Sequence, residues 1–319
     1  MRFDGRVVVT GGSGFLGSHV CERLLSQGCE VLCVDNFCTG TERNIRHLTD
    51  DPAFHLLEGD VTDGLEVDGT VSAVLHLASP ASPPDYLRLP LETMRAGSVG
   101  TQNALDLTRR KGARFLLAST SEVYGDPQVH PQPETYWGHV NPVGPRAVYD
   151  EAKRFSEAMT VAYRDTWGVD CRIVRIFNTF GPRMRADDGR MIPSFICQAI
   201  AGAPLKVAGD GSQTRSISYV SDTVDGILRL LASDSERGPV NIGGQDEMTV
   251  LATAELIRGL VGSSSPIEFV PRPQDDPTIR KPDIRKAVSA LGWQPGTDLE
   301  SELKKTIDWF LDHGPATGH

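Results

Sequence analysis

Tyr149 and Lys153 are the residues whose types and spacing most directly suggest catalysis in this sequence. Side chains four positions apart project from one face of a helix, so the phenol and the ammonium would enter the same cleft. A free phenol has a pKa near 10, too high for a base at neutral pH. A neighbouring ammonium and a positively charged nicotinamide would lower that pKa, and about three units correspond to roughly 4 kcal/mol. A helix surface often carries such a pair without function, so the interpretation depends on other elements.

A glycine-rich turn supplies the second element. The apolar stretch 7–9 predicts a strand, and three glycines follow it, namely Gly11, Gly14 and Gly17. Glycines at these positions would let the chain turn tightly, approach a pyrophosphate and pack the next helix against the strand. The open N-terminus of that helix, at Phe15 and Leu16, would offer N–H groups and a positive dipole to the anion. The alternative is a glycine-rich turn in another kind of α/β protein.

Asp35 follows the next predicted strand, about 20 residues after the glycines, where an acid can bind both ribose hydroxyls of an adenosine. The cofactor is therefore expected to be a dinucleotide. We expect NAD and not NADP, because a 2′-phosphate would face the Asp35 carboxylate at a cost of several kcal/mol.

Thr120 and Glu122 follow the predicted strand 115–119, at the edge of an open α/β sheet where ligands bind. The Thr120 hydroxyl could hydrogen-bond a reacting sugar oxygen beside Tyr149. Glu122 has two interpretations of equal weight: a carboxylate that begins a turn or helix, or a catalytic acid or base.

The elements that must position these residues alternate between strands and helices with short connections. Strands are predicted at 6–10, 30–34, 54–57, 73–77, 115–119, 171–176 and 240–242, and helices at 15–27, 91–111, 147–167, 193–202, 249–261, 285–291 and 299–312. This alternation predicts an α/β fold with a Rossmann-type doubly wound parallel sheet. We expect residues 1–178 plus 215–244 to bind the dinucleotide, and a smaller discontinuous lobe, 179–214 plus 245–319, to bind substrate.

Apolar residues recur at helical spacing in the stretch 147–167: Phe155, Met159, Ala162 and Tyr163. They could form core. Together with the stretch 91–111 they could instead form the seam of a symmetric homodimer.

The bulk properties exclude several classes. The net charge is −10 over 319 residues, which argues against nucleic acid or an anionic membrane as the main partner. No apolar run of about 18 residues is present, so neither a membrane anchor nor a signal peptide is expected. The six cysteines form no CxxC pair, which is typical of reduced packing residues in a cytoplasmic protein. No metal site is predicted.

Over nearly its whole length the sequence resembles the extended short-chain dehydrogenases/reductases, the family of nucleotide-sugar epimerases, dehydratases and decarboxylases. The most specific segments are 76–84, 119–127, 136–142, 175–184 and 280–284. The similarity is strongest to the family's UDP-glucuronate decarboxylases. It therefore implies decarboxylation of UDP-glucuronate to UDP-xylose through a 4-keto intermediate, with the hydride returned internally by NAD. Alternatives are a 4-epimerase, a 4,6-dehydratase, or, from another class, a non-catalytic NAD-binding regulator.

The resemblance also implies roles for individual residues. Thr120, Tyr149 and Lys153 match the hydride-transfer residues, and Glu122 and Arg280 match residues that assist decarboxylation. Further cofactor contacts are implied at Asn36, Asp60, Val61, Leu77, Ala78 and Ser79. Substrate contacts, beyond Glu122 and Arg280, are implied at Pro84, Tyr86, Asn178, Arg190, Arg215 and Tyr219.

Three positions bear on the choice within the family. Ser121 stands where 4,6-dehydratases have an aspartate that protonates the leaving hydroxyl, so dehydration is disfavoured. Arg95 and Gly97 stand where the family usually has Lys and Asn. Arg95 keeps the charge with a different geometry. Gly97 would remove a side-chain amide from a helix facing the site and lower helix propensity by up to about 1 kcal/mol.

Overall fold

The structure, a computed structural model, describes residues 5–314. Strands and helices alternate along the first half, because short apolar runs end at glycine- or proline-containing turns. The strands are β1 (Arg6–Thr10), β2 (Val31–Asp35), β3 (Phe54–Glu58), β4 (Val71–His76), β5 (Arg114–Thr120), β6 (Asp170–Ile176), β7 (Thr179–Phe180), β8 (Leu205–Ala208), β9 (Thr214–Ser216), β10 (Ser218–Tyr219), β11 (Val240–Ile242), β12 (Glu247–Thr249) and β13 (Ile267–Val270).

The helices connect these strands and cover both faces of the main sheet. They are α1 (Phe15–Ser26), α2 (Pro83–Arg88), α3 (Pro90–Arg95), α4 (Thr101–Lys111), α5 (Ala147–Trp167), α6 (Met191–Ile200), α7 (Val220–Ala232), α8 (Val250–Val261), α9 (Arg285–Leu291) and α10 (Leu299–His313). Short 3₁₀ turns occur at 42–44, 46–48, 61–63 and 121–124.

Seven parallel strands form the central sheet in the order β11-β6-β5-β4-β1-β2-β3. The chain therefore runs outward from β1 in one direction and then crosses back to continue from β4 in the other. This confirms the predicted doubly wound α/β fold, including the late return of residues 240–242 to the sheet edge beside β6. The point where the strand order reverses lies between β1 and β4, and it is there that ligands bind in such sheets.

The two faces of the sheet have separate cores because alternate side chains of a strand point to opposite sides. On one side Val7 and Val9 of β1 pack with α1 and α7. On the other side Val8 packs with α4 and with Tyr163 of α5. Burial of these apolar surfaces on both faces holds the carboxyl ends of the strands in fixed positions under the site.

A third hydrophobic core joins α6, α8 and α10 with β8. The same part of the chain contains two small two-stranded sheets, β8–β13 and β9–β12. Most of these elements fall in the ranges predicted for the substrate lobe, and β9 adjoins its boundary. The exact division of the chain into two domains stays a prediction. Residues 1–4 and 315–319, which belong to the predicted ranges, lie outside the described residues.

The predicted helix 91–111 is interrupted. Between α3 and α4 the segment Ala96–Gly100 adopts one wide π-helical turn. In the predicted stripe of α5, Tyr163 is buried, but Phe155 is 49% exposed and Ala162 is also exposed. The face of α5 turned to the core instead carries small residues such as Ala152 and Ser156, which periodicity of large apolar residues does not reveal.

Candidate active site

A cavity of about 1000 Å³ lies at the carboxyl ends of the central strands. Its wall includes the turn after β1, the loops after β2 and β4, the end of β5 and the start of α5. Residues between 183 and 217 line the opposite side. The cavity therefore occupies the position that the strand order predicts for a ligand.

The turn after β1 and the first turn of α1 require glycine at positions 11 and 17. Gly11 has a φ of +72°, and a Cβ on Gly17 would lie 2.0 Å from the Gly11 carbonyl oxygen. Helix α1 begins at Phe15, directly after Gly14, which has no side chain to cap it. The first N–H groups of the helix are therefore available to an anion in the cavity.

The loop after β2 carries the predicted adenosine contacts. Asp35 lines the cavity, and its two carboxylate oxygens accept hydrogen bonds of 2.9 Å each from the backbone N–H groups of Ser13 and Phe37. Asn36 donates to Asp60 at 2.8 Å. The two bonds from Ser13 and Phe37 hold the carboxylate of Asp35 at the cavity wall, where its remaining lone pairs can accept hydrogen bonds from ribose hydroxyls.

These features fit a dinucleotide. The glycine turn leaves a cradle that a Cβ would fill, the α1 N-terminus suits a pyrophosphate, and the buried Ser13 hydroxyl has no partner among the described residues. The remaining predicted cofactor residues also line the cavity, namely Phe15, Leu16, Asp60, Val61, Leu77, Ala78 and Ser79.

Tyr149, Lys153 and Thr120 meet where β5 ends against the first turns of α5. Lys153 donates to the Ala118 carbonyl at 2.9 Å, and its Nζ lies 5.9 Å from the centre of the Tyr149 ring. Burial raises the pKa of Tyr149 to about 12, although Arg190 and a hydrogen bond with Thr120 favour the phenolate. Burial also lowers the pKa of Lys153 to about 8. The pKa of Tyr149 is therefore not lowered as predicted: desolvation raises it, and the groups that oppose the rise are Arg190 and Thr120, not Lys153.

Glu122 is held between two arginines. Arg146 donates to one carboxylate oxygen and Arg280 to the other, each at 2.6 Å. Burial opposes ionisation, but the Arg280 and Arg146 guanidinium groups outweigh it and hold the pKa of Glu122 well below its usual range. Glu122 is therefore a carboxylate at neutral pH. It can orient a hydroxyl or a water, but it is a poor proton donor.

Arg280 does not line the cavity. Its side chain is 1% exposed and lies behind Glu122. It donates to the Ser121 hydroxyl at 2.9 Å and to the Gly125 carbonyl at 2.8 Å. Because these partners and Glu122 occupy both terminal nitrogens, Arg280 acts on the cavity through Glu122, and the prediction that it contacts the substrate directly lacks support in this geometry.

The structure adds Arg146 to the cavity wall. Sequence reasoning missed it, although it directly precedes α5 and lies three residues before Tyr149. Arg146 itself has residual exposure of 13%. It is therefore the member of the Glu122 cluster that a carboxylate in the cavity could contact.

Tyr86 was predicted to bind substrate, and it lines the cavity. Its ring lies against the Tyr149 ring. The Tyr86 hydroxyl is buried and has no hydrogen-bond partner among the described residues. Such a group is costly to bury unless a ligand completes its hydrogen bond.

The other predicted substrate residues divide into two groups. Asn178, Arg190 and Arg215 line the cavity. Pro84 and Tyr219 do not. Pro84 packs against Gly189, and Tyr219 packs against the Phe180 ring. Their contacts with substrate stay predictions, and in this geometry neither side chain forms part of the cavity wall.

The two departures from the family pattern also have different environments. Arg95 lines the cavity. Gly97 faces α5, and a Cβ at this position would lie 2.7 Å from the Cβ of Ala152. The helical segment that carries both residues does face the cavity, as predicted, but Gly97 lies on its other side. It is a contact point between two helices.

Among residues 5–314, no group of three or more His, Cys, Asp or Glu side chains could hold a metal ion. Nor does any helix within that range combine the length and apolar character that a membrane crossing requires.

Comparison with known families identifies the class to which this fold and site belong. Residues 7–243 match the model of the NAD dependent epimerase/dehydratase family, and the chain belongs to this family. The dinucleotide expected from the glycines and Asp35 is therefore NAD.

Curated relatives show which members of the family this chain is similar to. The chain is 53% identical over 311 residues to UDP-glucuronic acid decarboxylase 1 of Danio rerio, covering 97% of this chain and 74% of the relative. It is 48% identical over 305 residues to UDP-glucuronic acid decarboxylase 1 of Arabidopsis thaliana, covering 96% and 69%.

Solved structures share the fold. A UDP-glucose 4-epimerase from Thermotoga maritima, solved with UDP-glucose, is 27% identical with a TM-score of 0.85, covering 96% of this chain and 99% of that one. The dTDP-glucose 4,6-dehydratase DesIV from Streptomyces venezuelae, solved with NAD bound, is 27% identical with a TM-score of 0.88, covering 97% of both chains.

Proposed function

We propose that this chain is an NAD-dependent UDP-glucuronate decarboxylase that forms UDP-xylose. The observation that carries the proposal is that Glu122 forms ion pairs with Arg146 and Arg280 beside Tyr149. The near full-length similarity to UDP-glucuronic acid decarboxylases supports it. The residue roles below are part of the proposal.

The first step is oxidation at C4 of the sugar. Tyr149 takes the proton of the C4 hydroxyl, and the Thr120 hydroxyl holds the same oxygen. Bound NAD supplies the hydride acceptor for this step and the hydride donor for the last one. Because burial raises the pKa of Tyr149 to about 12, the phenolate requires added positive charge nearby. Lys153 contributes to that charge from the same helix face.

The second step is loss of CO₂. The 4-ketone is β to the C6 carboxylate, so the electrons of the breaking C5–C6 bond can move onto the C4 oxygen. Two guanidinium groups and one carboxylate in the Glu122 cluster leave one net positive charge, and Arg146 presents it to the cavity. This charge orients the substrate carboxylate.

Protonation at C5 then restores the ketone, and hydride return to C4, with Tyr149 giving its proton back to the C4 oxygen, completes UDP-xylose. Glu122 stays ionised, so its role is to accept a hydrogen bond from the water that delivers the C5 proton. Arg190 and Arg215 line the part of the cavity available to the anionic diphosphate.

Incubation of the chain with UDP-glucuronate and NAD, with the product identified by NMR, tests the proposal. UDP-xylose with release of CO₂ is expected, and deuterium placed at C4 should return to the same carbon. A C6-acid epimer as the only product would identify a 4-epimerase. Conversion of a nucleotide-glucose to a 4-keto-6-deoxy sugar would identify a dehydratase. Tyr149→Phe should abolish turnover, whereas a non-catalytic regulator would show no turnover to lose.

We also propose that the chain forms a homodimer through α3 and α5. Leu91 and Met94 are 70% and 45% exposed on α3, and Phe155 on α5 is 49% exposed. Large apolar side chains exposed on two neighbouring helices are typical of association surfaces. Sedimentation should give a dimer for the wild type and a monomer for Phe155→Glu. A wild-type monomer at micromolar concentration would contradict the proposal.

A cytoplasmic location is proposed as well. Cys21, Cys33 and Cys171 are buried free thiols, which supports a reducing compartment. Fractionation of cells producing the native protein would test it.

A further inference from the structure

Residues 183–190, here called the strap, connect β7 to α6 and line the cavity. Arg185 lies at its centre. The Arg185 guanidinium donates to both carboxylate oxygens of Asp85, at 3.0 and 2.9 Å, and to the Thr39 carbonyl at 3.1 Å. One side chain of the second lobe thereby binds two separate segments of the first.

Those two segments flank the glycine turn. Thr39 lies in the loop after β2, and Asp85 lies in α2, which follows β4. In the sheet β1 lies between β4 and β2, so these strands are about 10 Å apart with the glycine turn between them. The Arg185 contacts therefore span the mouth of the cavity above the position that a pyrophosphate would occupy at the start of α1.

Other contacts hold the strap against the first lobe. Arg190 donates to the Ala81 carbonyl at 2.8 Å. Gly189 has a φ of +73°, and a Cβ at this position would lie 2.4 Å from Pro84. At the other end, the Arg183 carbonyl accepts a hydrogen bond of 3.3 Å from Asn44. The strap is thus fixed at its centre and at both ends.

The Asp85–Arg185 pair is well suited to hold the strap closed. Asp85 is 5% exposed and also accepts a hydrogen bond of 2.6 Å from the Ser82 hydroxyl. Both contacts with Asp85 come from one guanidinium nitrogen, Nη2, while Nη1 donates to Thr39. The pair is charge-assisted and buried on the Asp85 side, and removal of either side chain breaks the link between the strap and α2.

We propose that Arg185, bound to Asp85 and Thr39, latches the strap over bound NAD and makes its release slow. That slow release of NAD is useful to the protein rests on the proposed function. In the proposed reaction NADH returns its hydride to the same sugar, so the cofactor does not have to leave between turnovers. The latch itself depends only on NAD binding, which the family defines.

The test measures NAD dissociation without any sugar substrate. Wild type, Asp85→Asn, Arg185→Met and the double variant are loaded with labelled NAD, mixed with excess unlabelled NAD, and followed by rapid gel filtration. Each single variant should release label about 10- to 100-fold faster than wild type. The double variant should be no faster than the faster single one, because both changes open one latch.

Arg88→Ala is the matched control. Arg88 donates to Asp85 at 3.2 Å but is 60% exposed and does not line the cavity. Its loss should change NAD release less than about twofold. Thermal unfolding without NAD identifies variants that release cofactor only because they are unfolded.

Three results would contradict the proposal that Arg185 slows NAD release. The first is that both folded single variants release NAD at the wild-type rate, and the second is that the effects of the two substitutions add in the double variant. The third is that wild type exchanges all of its NAD within the mixing time. Failure of the chain to decarboxylate UDP-glucuronate would leave the release rates unchanged, so the two proposals fail separately.

Discussion

The rings of Tyr86 and Tyr149 lie parallel, with centroids 5.3 Å apart and an interplanar angle of 7°. Tyr86 is 1% exposed, so it cannot turn away without opening the core. The orientation of the Tyr149 phenol is therefore set by a neighbouring ring as well as by its own helix. Stacking of this kind contributes about 1 kcal/mol beyond area burial.

Tyr86→Phe separates the ring of Tyr86 from its hydroxyl. The variant keeps the stack and removes a buried hydroxyl without a partner, so it should be as stable as wild type or up to about 1 kcal/mol more stable. If the hydroxyl binds the sugar, KM for UDP-glucuronate should rise about tenfold with kcat nearly unchanged. Steady-state kinetics and urea unfolding measure both quantities. An unchanged KM would remove Tyr86 from the substrate contacts.

Glu122→Gln should destabilise the chain by about 3 kcal/mol, because it leaves two guanidinium groups without their carboxylate. Adding Arg280→Met should restore roughly half of that stability without restoring decarboxylation. Urea unfolding and product analysis give the two readouts. Asp225→Asn is the control, since the exposed Asp225–Arg229 pair should contribute less than about 1 kcal/mol. If the double variant were less stable than Glu122→Gln, the destabilisation could not come from the unpaired charge of Arg280.

Asp150 connects the site to pH. Burial, and then the Glu122 carboxylate, raise the pKa of its carboxyl from the ordinary aspartate value to about 8. Tyr86 and Tyr149 lie near it, Arg146 and Arg280 oppose the shift, and Glu151 adds to it. The folded chain therefore binds a proton that the unfolded chain releases between about pH 4 and 8, so this group makes stability fall as pH rises through that window.

Asp150→Asn removes that dependence. Its stability relative to wild type should increase by about 3 kcal/mol between pH 5 and 8 and stay level above. Urea unfolding at four pH values measures the difference. The exposed carboxylate Asp308 provides the control, since Asp308→Asn should give a difference that does not change over this range. A flat difference for Asp150→Asn would mean that Asp150 is ionised at neutral pH.

The fold could be predicted from the sequence because its signals are local. Each central strand is a short apolar run that ends at a turn, and α5 has the bounds that its pattern predicts. The glycine turn that would hold the cofactor could be predicted equally well, because Gly11 and Gly17 lie close together in the sequence as well as in the structure. Sequence spacing carries that information directly.

The charged part of the site could not be predicted in the same way. Arg280 and Glu122 are 158 positions apart, and only the packed structure reveals that one lies behind the other. Arg146 and the Asp85–Arg185 pair were missed because ion pairs between distant segments leave no periodic pattern. The roles assigned to the site residues stay predictions that the kinetic tests above address.

Gly97 reverses the usual effect of glycine in a helix. Replacing an exposed helical glycine with alanine normally stabilises by about 1 kcal/mol. At position 97 the new Cβ would lie 2.7 Å from the Ala152 Cβ and 2.9 Å from its carbonyl oxygen. The Gly97 carbonyl also accepts a 2.7 Å hydrogen bond from Ser156, which any separation of the two helices would weaken.

Gly97→Ala should therefore destabilise the chain by about 2 kcal/mol. The control is Gly259→Ala in α8, where nothing lies within 4 Å of the added Cβ, and it should stabilise by up to about 1 kcal/mol. Urea unfolding of both variants measures the difference in sign. Because Gly97 does not line the cavity, NAD affinity of the folded Gly97→Ala variant should change less than about threefold. Equal stabilisation by both substitutions would mean that the π-helical turn 96–100 and α5 are not in close contact at this position.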